Sequence, residues 1–348
     1  MKKLFFLVPV FFLSCGEEDA TSWLPPASGA HGEIVVIMDD GLWNGPIGEL
    51  LVSKMSEHCR GPYLRPEPLF NYTRVRPDGL SHINQLNRLL LKLMIDKDSV
   101  YQTTQMLELE NYFAKGQLFI VIKDSDIDRL YSFVLNDFQF IADAFNQFEL
   151  QAFQREYRND PNTNVDEKSK EKFGLSISLP ADSKLAVEKD SFLWVKRDRS
   201  HNMMGGDPGS GSETYWITQG ILFWAEPYTN ASQLIMDSLL QRRDTLLKYN
   251  VPGRLAGSYM STEYDPYYKP QGHSIQFAGY DGYEIRGLWR YAGERAAVGG
   301  GPFVQRTVLN KKRNMLITIC GYIYGPKFDK REYIREVDAM LSSIELIE

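Results

Sequence analysis

The chain has 348 residues, with 39 basic against 45 acidic side chains and a formal net charge of −6. An acidic chain with no basic run longer than Lys311-Lys312-Arg313 is a poor partner for nucleic acid, whose phosphates demand a basic face. Its length fits one large or two ordinary domains, and 13% aromatic residues give ample material for a packed core.

At the N-terminus, Lys2-Lys3 precede the apolar run Leu4–Leu13, and Ser14-Cys15 follow. The run is too short to cross a bilayer, which needs roughly 20 apolar residues, and Pro9 interrupts it. A charged start, a short apolar stretch and a small residue form a secretory signal. The cysteine at the cut makes residues 1–14 resemble a bacterial lipoprotein signal peptide. That resemblance implies cleavage before Cys15 and lipid on its thiol. The membrane is then a partner through the anchor, and the mature chain becomes two charges more acidic. Gly16-Glu17-Glu18-Asp19 resembles the surface-export signal of Bacteroidetes-type lipoproteins, and a solvated acidic tether is the alternative. Pro25-Pro26 and Gly29 extend the tether, so residues 15–32 are expected to be flexible.

Glu33–Met38 reads as a buried strand bounded by Gly32 and Asp39-Asp40. Pro46 opens a helix through Cys59 that Gly61-Pro62 stops. Phe70–Arg76, Leu89–Ile95 and Leu118–Lys123 read as strands. From Ile127 the apolar period changes, and Leu130, Val134, Phe138, Ile141, Phe145, Phe148 and Phe153 form the stripe of one long helix. Asp124 or Ser125 suits its cap. Arg158–Lys170 is polar, contains Asp160-Pro161-Asn162, and reads as a linker.

After the linker, Phe173–Leu179, Phe192–Asp198 and Tyr215–Ala225 read as strands. Thr229 or Asn230 caps a helix that Pro252-Gly253 ends. Tyr283–Arg290, Phe303–Leu309 and Met315–Tyr324 are strands, and Asp329–Ile344 is a last helix. The expected fold is α+β, with antiparallel sheets covered by helices in two similar halves, 33–158 and 171–348.

With these elements placed, particular strings stand out: Gly32–Gly48, Arg65–Asn71, Glu284–Arg290, Gly299–Val304 and Gly321–Leu341. Together they resemble the lipoprotein family of Bacteroidetes-type bacteria known as domain of unknown function 4837, in order and over nearly the whole mature chain. The resemblance implies an envelope lipoprotein, with the outer membrane as the expected site. It brings no catalytic residue, and it treats the chain as one unit.

Few residues suggest chemistry. Asp39-Asp40 at a strand end suit a hard cation or acid/base work, with Glu67 as a third carboxylate. Capping of the next turn is the alternative reading. The five histidines show no metal-ligand spacing, and no Gly-x-Ser-x-Gly elbow is present. Gly205–Gly211 lacks the ending of a phosphate loop, so no cofactor is expected. Gly299–Pro302 reads as a turn, or as a place where another backbone approaches closely. Cys59 and Cys320 read as buried thiols, with a disulfide between them as the alternative that an exported protein permits. In the aromatic-rich stretch Tyr259–Tyr291, Tyr264, Tyr267 and Tyr268 fall in a loop, where exposed tyrosines suit a protein or glycan partner. The expectation is a non-enzymatic, lipid-anchored module that binds an envelope protein or glycan. An envelope hydrolase or metal-dependent enzyme using Asp39 and Asp40 is the alternative.

Overall fold

The computed structural model describes residues 23–59, 61, 65–204 and 212–347. Cys15 and the Gly205–Gly211 stretch lie outside the described residues.

The first half runs β1 (Glu33–Ile37), α1 (Asp40–Trp43), α2 (Pro46–Met55), β2 (Asn71–Val75), α3 (His82–Gln85), β3 (Leu89–Ile95), β4 (Gln105–Glu110), β5 (Leu118–Asp124) and α4 (Ile127–Asn159). The sheet order is β2-β1-β3-β5-β4. The class is α+β, but this sheet departs from the antiparallel expectation. β1 runs parallel to β2 and β3, β3 runs parallel to β5, and only β4 is antiparallel. The long connections through α1–α2, α3 and the surrounding loops permit parallel crossovers, which a tight hairpin would forbid.

Both sheet faces are covered. Ile34 and Val36 of β1 enter the core with α2 and α4, while Val35 and Ile37 enter a smaller cluster on the other face. This two-sided burial explains the unbroken apolar run of the sequence. The N-cap of α4 is Asp126, whose carboxylate accepts from the Asp128 and Arg129 amides, rather than Asp124 or Ser125.

The second half begins with α5 (Thr163–Phe173), then β6 (Leu175–Ser176), β7 (Lys184–Lys189), β8 (Phe192–Met204), β9 (Ser212–Pro227) and α6 (Met236–Asn250). It continues with β10 (Tyr259–Thr262), β11 (Gln271–Phe277), β12 (Tyr280–Ala292), β13 (Gly300–Asn310), β14 (Met315–Tyr324), α7 (Arg331–Ser342) and β15 (Glu345–Leu346). The large sheet follows β7-β8-β9-β14-β13-β12, and β10 and β11 share the far edge of β12. Every pairing in it is antiparallel. One face, with Ile221, Phe223, Ile317 and Ile319, packs under α7, α5 and the end of α4. The other, with Leu222, Trp224, Cys320 and Tyr322, packs under α6. The halves are therefore not alike: one sheet is mostly parallel, the other wholly antiparallel.

Two further expectations change. The polar stretch Arg158–Lys170 is not a loop. Asn162 accepts the Val165 amide and starts α5, whose buried Val165, Ser169 and Phe173 recur every four residues. Residues 25–32 are not a free tether either. Lys115 N–H donates to the Pro25 carbonyl at 2.8 Å, Ala27 N–H to Lys115 at 2.8 Å, and Ser28 N–H to Leu86 at 2.7 Å. These backbone bonds fix the strand-like stretch before β1 to the body.

One helix joins the halves. At 33 residues, α4 is roughly 50 Å long. Its Val134, Phe138 and Phe145 lie in the first core, and its Phe153 and Tyr157 lie in the second. Between them sits Glu149, with no exposed side-chain surface. It accepts from His31 Nδ1 at 2.5 Å, Arg88 Nη2 at 3.1 Å and the Gly32 amide at 3.3 Å. Burial works to raise its pKa. The His31 hydrogen bond and the His31 and Arg88 charges outweigh burial and bring it from 4.5 down to about 2. Glu67 makes a second tie, accepting the Lys330 and Arg331 amides at 2.7–3.0 Å at the start of α7.

Candidate functional site

Two hollows stand out. The larger, about 1010 Å³, lies between α4, β4 and the α7 side of the large sheet. Its walls carry Arg286, Arg306, Arg331 and Arg335. These cations already have partners within the chain. Arg286 donates to Asp338 at 2.7 and 3.1 Å and to Glu284 at 2.7 Å. Arg306 donates to Glu284 at 2.8 Å and to the Ser342 hydroxyl at 3.0 Å. Arg331 donates to the Pro68 carbonyl, and Arg335 to Asn146 and Glu332. The ion pairs of Arg286 and Arg306 neutralise one another within the second half, while Arg331 and Arg335 reach across to Pro68 and Asn146, so this hollow is a seam between the halves.

The second hollow, about 440 Å³, is built from two neighbouring elements. Along α6, Asp237, Gln241, Asp244, Thr245 and Lys248 fall on one face, as a 3.6-residue period requires. Along β10, Met260 and Thr262 point into the core, which turns Tyr259 and Ser261 outward to the same hollow. Tyr264 closes it.

Asp244 is the fixed point of this recess. Its Oδ1 accepts from the Thr262 amide at 2.8 Å and the Thr262 hydroxyl at 2.7 Å. Its Oδ2 accepts from the Tyr264 hydroxyl at 2.8 Å. Burial and the Asp244 hydrogen bond push the Tyr264 hydroxyl up to about 12, so it remains a donor at neutral pH. Beneath lies Arg243, wholly buried, donating to the Thr262 hydroxyl at 2.8 Å and stacked 3.9 Å over the Phe303 ring. Among the described residues, the side chains of Asp237, Gln241 and Ser261 make no hydrogen bond. Lys248 sits over the Tyr259 ring at 5.6 Å. The recess thus combines a locked carboxylate, open polar groups and aromatic surface.

Of the three tyrosines singled out from the sequence, Tyr264 lines the recess, and Tyr267 and Tyr268 do not. Tyr267 stands 92% exposed on a short 3-10 turn, Pro266–Tyr268, capped by Asp265. The α6 face was missed in the sequence, although Asp237, Gln241, Asp244 and Lys248 recur there at helical spacing.

The carboxylates singled out have local roles. Asp39 caps α1, accepting the Leu42 amide at 2.9 Å. Asp40 pairs with Arg74 at 2.5 Å. Glu67 holds the start of α7. Among the described residues, no group of three or more His, Cys, Asp or Glu side chains is arranged to hold a metal. No disulfide joins Cys59 to Cys320; Cys320 is buried in β14 as expected, whereas Cys59 is only part-buried. Gly300 and Gly301 lie within β13 rather than in a turn, and a β-carbon at Gly301 would overlap the Ile323 carbonyl.

A family model described as Domain of unknown function (DUF4837) matches residues 162–343. The chain belongs to that family. The α6–β10 recess lies wholly within the DUF4837 segment. Residues 27–158 match a second model, Domain of unknown function (DUF8532). The strings Gly32–Gly48 and Arg65–Asn71 fall in that second segment, so the DUF4837 match is shorter than the near-whole-chain resemblance read from the sequence.

No curated protein matches the chain. Among solved structures, the Ran-binding protein Mog1p of Saccharomyces cerevisiae is similar at 10% identity and a TM-score of 0.29, over 50% of this chain and 91% of that one. CyanoP, the PsbP of Synechocystis, is similar at 11% identity and 0.25, over 48% and 93%. LpqN, involved in cell envelope biogenesis of Mycobacterium tuberculosis, is similar at 13% identity and 0.25, over 50% and 83%. Likenesses this weak say nothing of what the DUF4837 chain does. No helix among the described residues is long and apolar enough to cross a membrane.

Proposed function

We propose that this chain is a cell-envelope lipoprotein, anchored through Cys15, whose body is a non-enzymatic module that binds a glycan in the α6–β10 recess. The observation that carries the binding reading is Asp244, locked by Thr262 and Tyr264 beside the open side chains of Asp237, Gln241 and Ser261. Sugar hydroxyls both donate and accept, and a carboxylate, an amide and a hydroxyl meet both needs. Tyr259 and Tyr264 supply the flat apolar surface that the carbon face of a sugar packs against. A preorganised carboxylate also gives up little freedom when a ligand arrives.

The anchor reading rests on the residues around Cys15. The outer membrane is its expected location, and either face of that membrane is compatible with the tether. A protein partner is the second reading, favoured by Tyr267, whose ring is 92% exposed beside the recess loop.

The test has two arms. Mass analysis of the protein from cells, beside Cys15→Ser, should find acyl chains on the native protein alone. Envelope glycans titrated against the purified protein should bind, and Asp244→Asn should weaken them at least about tenfold. Glycan binding unchanged by both Asp244→Asn and Tyr264→Phe would move the site elsewhere. If Tyr267→Ala abolishes capture of an envelope protein while no glycan binds, the second reading takes over.

A further inference from the structure

Three large apolar side chains stand in solvent at one end of the first sheet. Trp23 is 83% exposed, Ile83 78% and Tyr112 54%. Single exposed apolar residues are ordinary, but these come from segments tied to one another. Pro25 and Ala27 bond the backbone of Lys115, three residues after Tyr112. Ser28 bonds Leu86, three residues after Ile83. The buried Gln117 side chain closes the set. Its Nε2 donates to the carbonyls of Gln85 and Asn87 at 2.6 and 2.7 Å, and its Oε1 accepts the Phe113 amide at 2.9 Å. The parallel pairing of β1, β3 and β5 puts the N-terminal ends of all three strands at this one end.

We propose that this end of the first sheet is the face the protein lays against a phospholipid bilayer. Trp23, Ile83 and Tyr112 enter the headgroup region, and the exposed Lys115 meets lipid phosphate. This rests on the lipid-anchor reading of Cys15. Residues 15–22 separate the lipid from Trp23 and span at most about 29 Å when fully extended. The described chain begins at Trp23, within this same patch, so the tether delivers this end to the membrane first. Tryptophan and tyrosine favour the membrane–water interface, where an apolar body and a polar tip are both accommodated. Val100 supplies the contrast. It is 90% exposed and apolar, but it lies between β3 and β4, at the opposite end of the same sheet.

The test uses the full lipidated protein in vesicles of phosphatidylethanolamine and phosphatidylglycerol. A fluorophore is attached at Ile83→Cys, Tyr112→Cys or Val100→Cys, each in a Cys59→Ala background, and nitroxide-bearing lipid acts as quencher. The expected result is several-fold stronger quenching at positions 83 and 112 than at 100. Vesicle-bound protein with equal quenching at all three positions, or with none, overturns the proposed face and leaves the anchor reading intact. Native protein that stays off the vesicles overturns both. Triple replacement of Trp23, Ile83 and Tyr112 by serine should leave the lipidated protein on the vesicles and free its body to tumble faster, read as a drop in fluorescence anisotropy at a Val100→Cys label. Unchanged anisotropy also overturns the proposal.

Discussion

The seam between the halves has more than twice the volume of the α6–β10 recess, 1010 against 440 Å³. It also carries far more charge. Yet each arginine in the seam is bonded to a carboxylate, a carbonyl or an amide of the chain itself, whereas Asp237, Gln241 and Ser261 in the recess have their bonding capacity open. A large hollow whose arginines are all bonded within the chain is construction. A small one with a carboxylate fixed by Thr262 and Tyr264, beside exposed polar side chains free to turn toward a partner, is suited to a ligand. Hydrogen-bond accounting separates the two where size would mislead.

Substitutions sharpen this contrast. The largest effect is expected in the seam: Glu284→Ala deprives the part-buried Arg286 and the buried Arg306 of one shared partner, leaving Asp338 as the other, and should cost about 3 kcal/mol of stability in denaturant titration. Glycan affinity per folded molecule should not change. Acid should act on the same side of the comparison through Glu149. Its folded pKa is about 2 against an ordinary 4.5. The stability it contributes is therefore complete above pH 4.5 and is lost as the pH falls toward 2. Glu149→Gln should be less stable than the native chain at neutral pH, and the gap should close between those two values.

In the recess the order reverses. Asp244→Asn should weaken ligand binding by about 1.5–3 kcal/mol in calorimetry, with a smaller change in melting temperature. The smallest effects should come from the groups the sequence made prominent. Asp39→Ala removes a helix cap worth about 1 kcal/mol. Tyr267→Ala should change stability by less than about 0.5 kcal/mol, since its ring touches little.

Much of the fold was legible because period carries face. The stripe from Leu130 to Phe153 marked α4, and Met315–Tyr324 matches β14 residue for residue. Strand direction was not legible, because alternation of side chains is the same in parallel and antiparallel sheets. The long stretches between β1, β2 and β3 were the available hint. α5 was masked by its composition: nine polar residues surround Val165 and Phe173, and only their spacing reveals a buried face. β4, β7 and β11 were missed because they are edge or outer strands with few buried side chains. The recess was half legible. Tyr264 stood out as an aromatic residue in a loop, but Asp244 is one of two ordinary acidic residues on a polar helix face. Its distinction comes from Thr262 and Tyr264, which sequence alone cannot bring beside it.

The helix α4 has a consequence for motion. The two family segments meet between residues 158 and 162, where a flexible joint would be the natural expectation. Instead one rod enters both cores, with Phe145 wedged in the first and Phe153 in the second, two turns apart. Swinging one half against the other would have to bend that rod or pull an aromatic ring out of its packing. The shared helix therefore opposes a hinge between the halves. The α6–β10 recess lies wholly within the second half, so a ligand there meets a surface that does not depend on the halves closing over it.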